Sequence, residues 1–212
     1  MSEVDADVIV IGAGLAGSAA AWALARRGVS AQVLERHQIG HHAGSSHGSS
    51  RIFRRAYPVA EYVTLTGRAE RLWDELGAEH GQPLLRRTGG VDHGPGRGVD
   101  QIKRVFDDLG VAAELLDAEQ AQTRWPGMSF DGPVLFTPES GVIDADTAVR
   151  ALVAGATARG VEVSEQAPVE RVEQRGDTVL VHRGEGALRA RRVVVAAGAW
   201  VPDVLPSSIS AR

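Results

Sequence analysis

The chain has no cysteine in its 212 residues, which excludes disulfides, thiolate metal sites and any cysteine nucleophile. It has no uninterrupted apolar run of membrane-spanning length, no internal repeat and no long linker. A basic excess is also missing. The formal net charge is −4, which gives a nucleic-acid partner no electrostatic support. The opening Met1-Ser2-Glu3-Val4-Asp5 leads with acidic rather than basic residues, unlike a secretory leader, so a cytoplasmic, membrane-free protein is the expectation. What remains is ordinary globular composition, 43% apolar and 24% charged, at a length sufficient for one good core or one and a half domains.

Against that background the N-terminal residues carry most of the information. Asp7-Val8-Ile9-Val10-Ile11 runs into Gly12-Ala13-Gly14-Leu15-Ala16-Gly17, a helical stretch follows, and Ala31-Gln32-Val33-Leu34 ends on Glu35. Strand, glycine turn, helix and second strand closed by a carboxylate form a dinucleotide-binding fingerprint in its structural context. Gly12 allows the tight turn, Gly14 lets backbone approach a diphosphate, and Gly17 lets the helix pack closely on the sheet. The helix, from about Gly14 to Arg27 with Gly28 behind it, points its free N–H groups and positive dipole end at the phosphates. Leu15, Ala19, Ala23 and Leu24 are its expected sheet-facing stripe. Glu35 is expected to accept hydrogen bonds from the ribose hydroxyls. It also argues against a ribose 2′-phosphate, although Arg36 could offset that repulsion.

Downstream, a loop rich in His, Gly and Ser covers residues 37–50. Helices are expected over 61–79, with Val63, Leu65, Leu72, Trp73 and Leu76 apolar, and over 100–109, with Ile102, Val105, Phe106 and Leu109 on one face. Asp117 opens a short helix ending before Trp125-Pro126, and Asp146 caps one running to Arg159. Gly89–Val91 and Val134–Phe136 read as strands, and Val161–Val163 as a parallel strand. Val169–Glu173, Thr178–His182 and Leu188–Arg192 form a three-stranded meander leading into Val193–Ala196, a run suited to a buried parallel strand. The glycine in Ala197-Gly198-Ala199-Trp200 again points to close backbone approach to a ligand. A nicotinamide dehydrogenase would build its nucleotide sheet in one continuous run. Here the chain leaves after the second strand and returns near residue 146.

With that excursion, several motifs carry a family resemblance. They are the segment 7–17, then Gly44-Ser-Ser-His-Gly-Ser-Ser-Arg-Ile-Phe-Arg-Arg-Ala-Tyr57, Arg124-Trp-Pro-Gly127, Pro138-Glu-Ser-Gly-Val142 and Val195-Ala-Ala-Gly-Ala-Trp200. The chain resembles the FAD-dependent amine oxidases of the monomeric sarcosine oxidase and N-methyltryptophan oxidase type, within the D-amino-acid-oxidase-like flavoproteins. The resemblance implies an α/β fold: a Rossmann-like FAD-binding domain with a parallel sheet and β-meander, plus an incomplete α+β substrate domain. The implied division is 1–84 and 146–212 for FAD and 85–145 for substrate. FAD is the implied cofactor, with a small-molecule secondary amine or N-methyl amino acid and oxygen as reactants. The cofactor's own atoms carry that chemistry.

The resemblance also assigns residues. His47 and Arg51 match a histidine and an arginine beside the flavin, the first tuning amine protonation and the second stabilising negative charge. Arg54 matches an arginine that holds the substrate carboxylate with its planar fork. Cofactor contacts fall on Gly12, Ala13, Gly14, Leu15, Ala16, Gly17, Glu35, Arg36, Ser45, Ser49, Ser50, Arg51, Val169, Ala197, Gly198 and Trp200. Ser49 and Ser50 replace an Asp-Thr pair common in the family, so the hydrogen-bond pattern there differs. The plain alternative treats Arg51, Arg54 and Arg55 as surface charges. His37, His41, His42 and His47 read more simply as polar loop residues than as a metal site. Trp73, Trp125 and Trp200 read as core or domain-interface residues.

The family's chains are longer. Its lysine linked to oxygen activation, its flavin-tethering cysteine, a second carboxylate-binding residue and the segment covering the ring have no counterpart here. The ending Ser207–Arg212 looks unlike a continuing strand. The expectation is a fragment, a truncated frame or half of a two-chain enzyme, binding the ADP part of FAD weakly and turning over little alone. The alternatives are an amino-acid dehydrogenase of the same fold and a non-catalytic nucleotide-binding module.

Overall fold

The structure, a computed structural model, describes residues 4–205, so the ending at 207–212 lies outside the described residues. The chain begins with β1 (Ala6–Ile11), turns through glycine, and forms α1 (Leu15–Ala25) and β2 (Ala31–Leu34). Next come β3 (Arg51–Phe53), α2 (Ala60–His80), β4 (Leu85–Arg86) and β5 (Gly90–Asp92). They are followed by α3 (Val99–Leu109), β6 (Glu114–Leu116), α4 (Ala118–Arg124), β7 (Val134–Thr137) and β8 (Gly141–Ile143). The last stretch holds α5 (Ala145–Thr157), β9 (Glu162–Ser164), β10 (Arg171–Arg175), β11 (Thr178–Arg183), β12 (Gly186–Val195), a 3-10 turn at Gly198–Trp200 and α6 (Val201–Val204).

The chain divides into two compact units, Met1–Ser49 with Ala145–Arg212, and Ser50–Asp144. This division differs from a boundary at residue 84. It groups α2 with the second unit, where its packing partners α3 and β4 lie.

The first unit is built on a six-stranded sheet in the order β10-β11-β12-β1-β2-β9. β12, β1, β2 and β9 are parallel, and β10, β11 and β12 form an antiparallel meander. The apolar run of β1 is buried almost throughout, as a central parallel strand requires. Ile9 and Ile11 join a core with Leu34, Val172, Val181 and Ala190. The expected third meander strand and the apolar run after it are one continuous strand. Ala190 of β12 is the joint, paired with Val179 of β11 on one side and Ala6 of β1 on the other. Val193, Val194 and Val195 are half-buried rather than fully buried.

The face of α1 also differs from expectation. Gly17, Ser18, Ala21, Trp22 and Ala25 are buried, while Leu15 is 41% exposed and Ala19, Ala23 and Leu24 are intermediate. The physical reason is Gly17. A Cβ there would lie 1.8 Å from the Gly12 carbonyl oxygen, so the helix is rotated to put its one side-chain-free position at the crossing. Positions four and eight residues on follow onto that face. Asp146 is a first-turn residue of α5 rather than its cap, and its Oδ1 accepts the Gly48 N–H at 3.0 Å.

The second unit carries two three-stranded antiparallel sheets, β3-β8-β4 and β5-β7-β6. Val63, Ile102, Phe106 and Leu135 form its core with Ala56 and Val99. Asp117 opens α4 with a reciprocal capping box to Gln120. Gly81 stops α2 in the left-handed region at φ +86. Leu65 and Leu72 of α2 and Leu109 of α3 are exposed, against the expectation that they face a core. Arg55 is no surface charge. It is 6% exposed, and its guanidinium reaches Glu70 at 2.8 Å and pairs with Glu139. Arg87 extends the cluster to Asp74 and Glu70. Its hydrogen bond to Asp74, with lesser help from Glu70, raises its pKa above the ordinary arginine value.

Gly17→Ala is expected to destabilise the fold by about 2 kcal/mol or more through overpacking at the crossing. Thermal unfolding should report this as a fall of at least about 4 °C in Tm. An unchanged Tm would contradict the close crossing.

Candidate functional site

A cleft of about 300 Å³ opens at the C-terminal ends of the parallel strands in the first unit. Ligands gather at such strand ends in open α/β sheets. Its floor is the turn after β1. Gly12 has φ +96, and a Cβ on it would stand 2.6 Å from the Ala196 carbonyl oxygen, so only glycine fits. Gly14 is the N-cap of α1 and offers no side-chain cap. The unpaired amides of the first helical turn therefore need outside acceptors. Ser46 Oγ takes one of them, the Leu15 N–H, at 2.9 Å. Ser18, buried beneath, donates to the Ala13 carbonyl at 2.8 Å and pins the turn from inside.

Glu35 follows β2 and is only 4% exposed. Its Oε2 accepts the Ala13 N–H at 2.7 Å, and Oε1 accepts the His37 N–H at 2.8 Å. His41 Nε2 lies 3.4 Å from Oε1. The Glu35 backbone is fixed as well, its N–H on the Ser164 carbonyl and its carbonyl receiving the Ala167 N–H, each at 2.8 Å. Between those two residues Gln166 adopts φ +53, a left-handed conformation that costs a side-chain-bearing residue energy.

The walls join residues far apart in sequence. Ala13, Leu15, Ala16, Arg36 and Ser45 line the cleft beside the two glycines and the acid. Val169, Ala197, Gly198 and Trp200 close the opposite side. Val169 precedes β10 instead of forming its first residue. Trp200 is a cleft residue rather than a core one: its ring meets the edge of His37 at 5.9 Å, and the Arg36 guanidinium lies 5.5 Å from its centroid. The buried tryptophan is Trp22. Gly17 stays behind the turn, outside the lining.

The remaining sequence-assigned residues lie elsewhere. Ser49 is exposed and outside the lining. Ser50, Arg51 and Arg54 belong to the second unit. Arg51 is exposed and donates to the Ser50 carbonyl at 2.9 Å. Arg54 is half-buried and stacks its guanidinium 4.6 Å above the Tyr57 ring. His47 belongs to the first unit, where its Nδ1 lies 2.7 Å from the Gly44 carbonyl oxygen. A carbonyl only accepts, so in the neutral ring Nδ1 carries the proton and Nε2 the lone pair. Among the described residues no cluster of His, Asp and Glu could hold a metal ion, and no helix is long and apolar enough to cross a membrane.

Ser46 is a cleft residue that pattern reading does not single out, and His37 and His41, read from the sequence as polar loop residues, line the cleft beside it. The Ser46 contact spans 31 positions and leaves no local signature. His37 Nε2 is buried without a partner among the described residues. The chemistry of this donor set fits an adenine dinucleotide. A helix N-terminus suits a diphosphate, a buried carboxylate suits hydroxyl groups, and an arginine beside a tryptophan suits a flat ring.

Comparison with known proteins agrees with that chemistry. A family profile described as DAO, FAD dependent oxidoreductase, matches residues 7–211. The N-methyl-L-tryptophan oxidase of Yersinia pestis (strain Pestoides F) is 34% identical over 209 residues, covering 96% of this chain and 56% of its own length. Among solved structures, NikD, an unusual amino acid oxidase essential for nikkomycin biosynthesis, superposes with TM-score 0.80 at 28% identity, over 95% of this chain and 53% of that one. Glycine oxidase from Geobacillus kaustophilus shares the fold, with TM-score 0.78 at 21% identity over 94% of this chain and 57% of that one. The chain spans about half the length of the relatives it matches.

Because Glu35 accepts two backbone N–H groups, Glu35→Gln sets an amide N–H₂ against one of them. Leaving a buried donor unpaired costs about 1–3 kcal/mol, so the variant should unfold at lower denaturant concentration even without nucleotide. Equal midpoints would show that the carboxylate does not brace the turn.

Proposed function

From the premise that this chain belongs to the DAO family of FAD-dependent oxidoreductases, with FAD as its cofactor, we propose that it serves oxidation of the C–N bond of a secondary amine or N-methyl amino acid. The proposed acceptor of the electrons is oxygen, reduced to hydrogen peroxide, while the imine left behind hydrolyses to a carbonyl compound and an amine. The observation that carries the reading is the cleft: a glycine turn too tight for side chains, beside the buried carboxylate of Glu35. In this reading the first unit is the FAD-binding domain and the second the beginning of the substrate domain.

Each residue's part follows from its chemistry. The turn from Gly12 to Gly17 and the N-terminus of α1 hold the diphosphate. Glu35 holds the ribose, and Arg36, Val169 and Trp200 enclose the adenine. Ala13, Leu15, Ala16, Ser45, Ala197 and Gly198 complete the contacts, and Ser49 and Ser50 lie along the same chain segment toward Arg51. Bound FAD supplies the two-electron acceptor for the carbon next to nitrogen. His47, with its Nε2 lone pair free of the Gly44 contact, takes a proton from the substrate ammonium, because only the neutral amine gives up hydride readily. Arg51 offers positive charge where negative charge develops. Arg54, its guanidinium over the Tyr57 ring, presents its fork to a substrate carboxylate.

Two measurements test this. Titration of the dialysed chain with FAD and with ADP should show binding of both, in competition. Gly14→Val should abolish both, because a Cβ at Gly14 already comes within 3.1 Å of Ser46 Oγ. Failure of both ligands to bind would overturn the reading. In flavin-loaded protein, Arg54→Leu should raise KM for N-methyl amino acids about tenfold or more, leave KM for uncharged secondary amines unchanged, and be partly rescued by Arg54→Lys. A loss common to both substrate types would remove Arg54 from carboxylate binding.

A further inference from the structure

A helix that begins at a glycine has no side chain of its own to pair its first amides. Gly14 is the N-cap of α1 and makes no side-chain cap. The cap comes from a distant residue: Ser46 Oγ, 31 positions after Leu15, accepts the Leu15 N–H at 2.9 Å. It lies 3.1 Å from where a Cβ on Gly14 would stand, so the hydroxyl sits beside the place that the glycine leaves open. The segment around Ser46 is anchored on both sides. His47 Nδ1 reaches back to the Gly44 carbonyl oxygen at 2.7 Å. Beyond it, the Gly48 N–H donates to Asp146 Oδ1 at 3.0 Å, and the Asp146 N–H donates to the Gly48 carbonyl at 3.3 Å. Gly12, Gly14, Leu15 and Ser46 line the cleft together.

The chemistry of this cap decides what it can do. A carboxylate in that place would accept the amide and repel an anion. A hydroxyl has a proton to give as well as lone pairs to receive. Ser46 spends a lone pair on Leu15, and among the described residues its proton has no acceptor. Accepting an N–H at the positive end of a helix also polarises the O–H and strengthens it as a donor. We infer that Ser46 is a diphosphate-binding residue, its hydroxyl accepting the Leu15 N–H and donating its own hydrogen bond to a phosphate oxygen in the cleft. The inference rests on the reading of the cleft as a nucleotide site. The Leu15 amide, already spent on Ser46, then acts on the phosphate through the loop hydroxyl and not directly. A serine that only capped the helix would steady the turn and treat every ligand alike. A hydroxyl that meets phosphate affects only ligands that carry one.

The test is calorimetric titration of the full chain with ADP, and with adenosine as its competitor. Ser46→Ala should weaken ADP binding about tenfold or more, the loss of one hydrogen bond to a charged acceptor, and leave adenosine within about twofold. Ser46→Cys, close to serine in size but a weak donor, should repeat that pattern and decides the matter where the alanine variant fails to fold. The inference is overturned if Ser46→Ala binds ADP as tightly as wild type or more so, because the freed Leu15 amide then serves the phosphate by itself. It is overturned equally if both variants lose ADP and adenosine together. Absence of ADP binding in every form, wild type included, removes the nucleotide reading itself; ADP binding with the wrong pattern removes this inference alone.

Discussion

The contact between Gly17 and the carbonyl of Gly12 governs the first unit. Helix α1 crosses the turn after β1 so closely that no side chain fits between them. That approach sets the rotation of the helix and buries Trp22 and Ala21 against the body of the unit. It also aims the N-terminus of α1 into the cleft. The same turn is pressed from the other side by Ala196, at the end of β12, whose carbonyl blocks any side chain on Gly12. Helix, turn and two parallel strands thus meet at two glycines, and the anion-binding end of the helix is a product of that packing.

Glu35 adds a second constraint. A carboxylate this deeply buried has to be hydrogen-bonded, and it is, by two amides from different segments. It ties the end of β2 to the turn after β1 before any ligand arrives. The segment 164–167 locks onto its backbone, at the expense of a left-handed Gln166. Strain of this kind persists where surrounding bonds over-determine it, and it collects near binding sites.

Much of this was legible in the residues. The glycine turn, β1, α1, β2 and the acid were readable because each rests on local rules of turn, cap and period. The helix opening at Asp117 was readable for the same reason, though not its reciprocal box with Gln120. The buried face of α1 was not, because most of its positions are alanine or glycine and the pattern has little contrast; a single crossing contact decided it. Nor was the unity of β12. Its two halves have different partners, so alternation gives way to a continuous apolar run at Ala190 with no break in the strand. The burial of Arg55 was hidden because its partners, Glu70 and Glu139, lie 15 and 84 positions away. Leu65 and Leu72 follow a helical period in sequence, but no core of the second unit reaches them. Ser46 acts through a contact 31 positions away that local patterns do not encode.

The four tryptophans are distributed in a way that gives the molecule its own optical gauge. Trp22 is sealed inside the first unit, with Arg26 stacked on it, and its emission reports the integrity of the fold. Trp200 forms part of the cleft wall between Arg36 and His37. A colourless ligand entering there changes the polarity and quenching around Trp200, the one tryptophan in the cleft lining, and leaves Trp22 untouched. Occupancy and unfolding are therefore separable in a single intrinsic fluorescence trace, without a label.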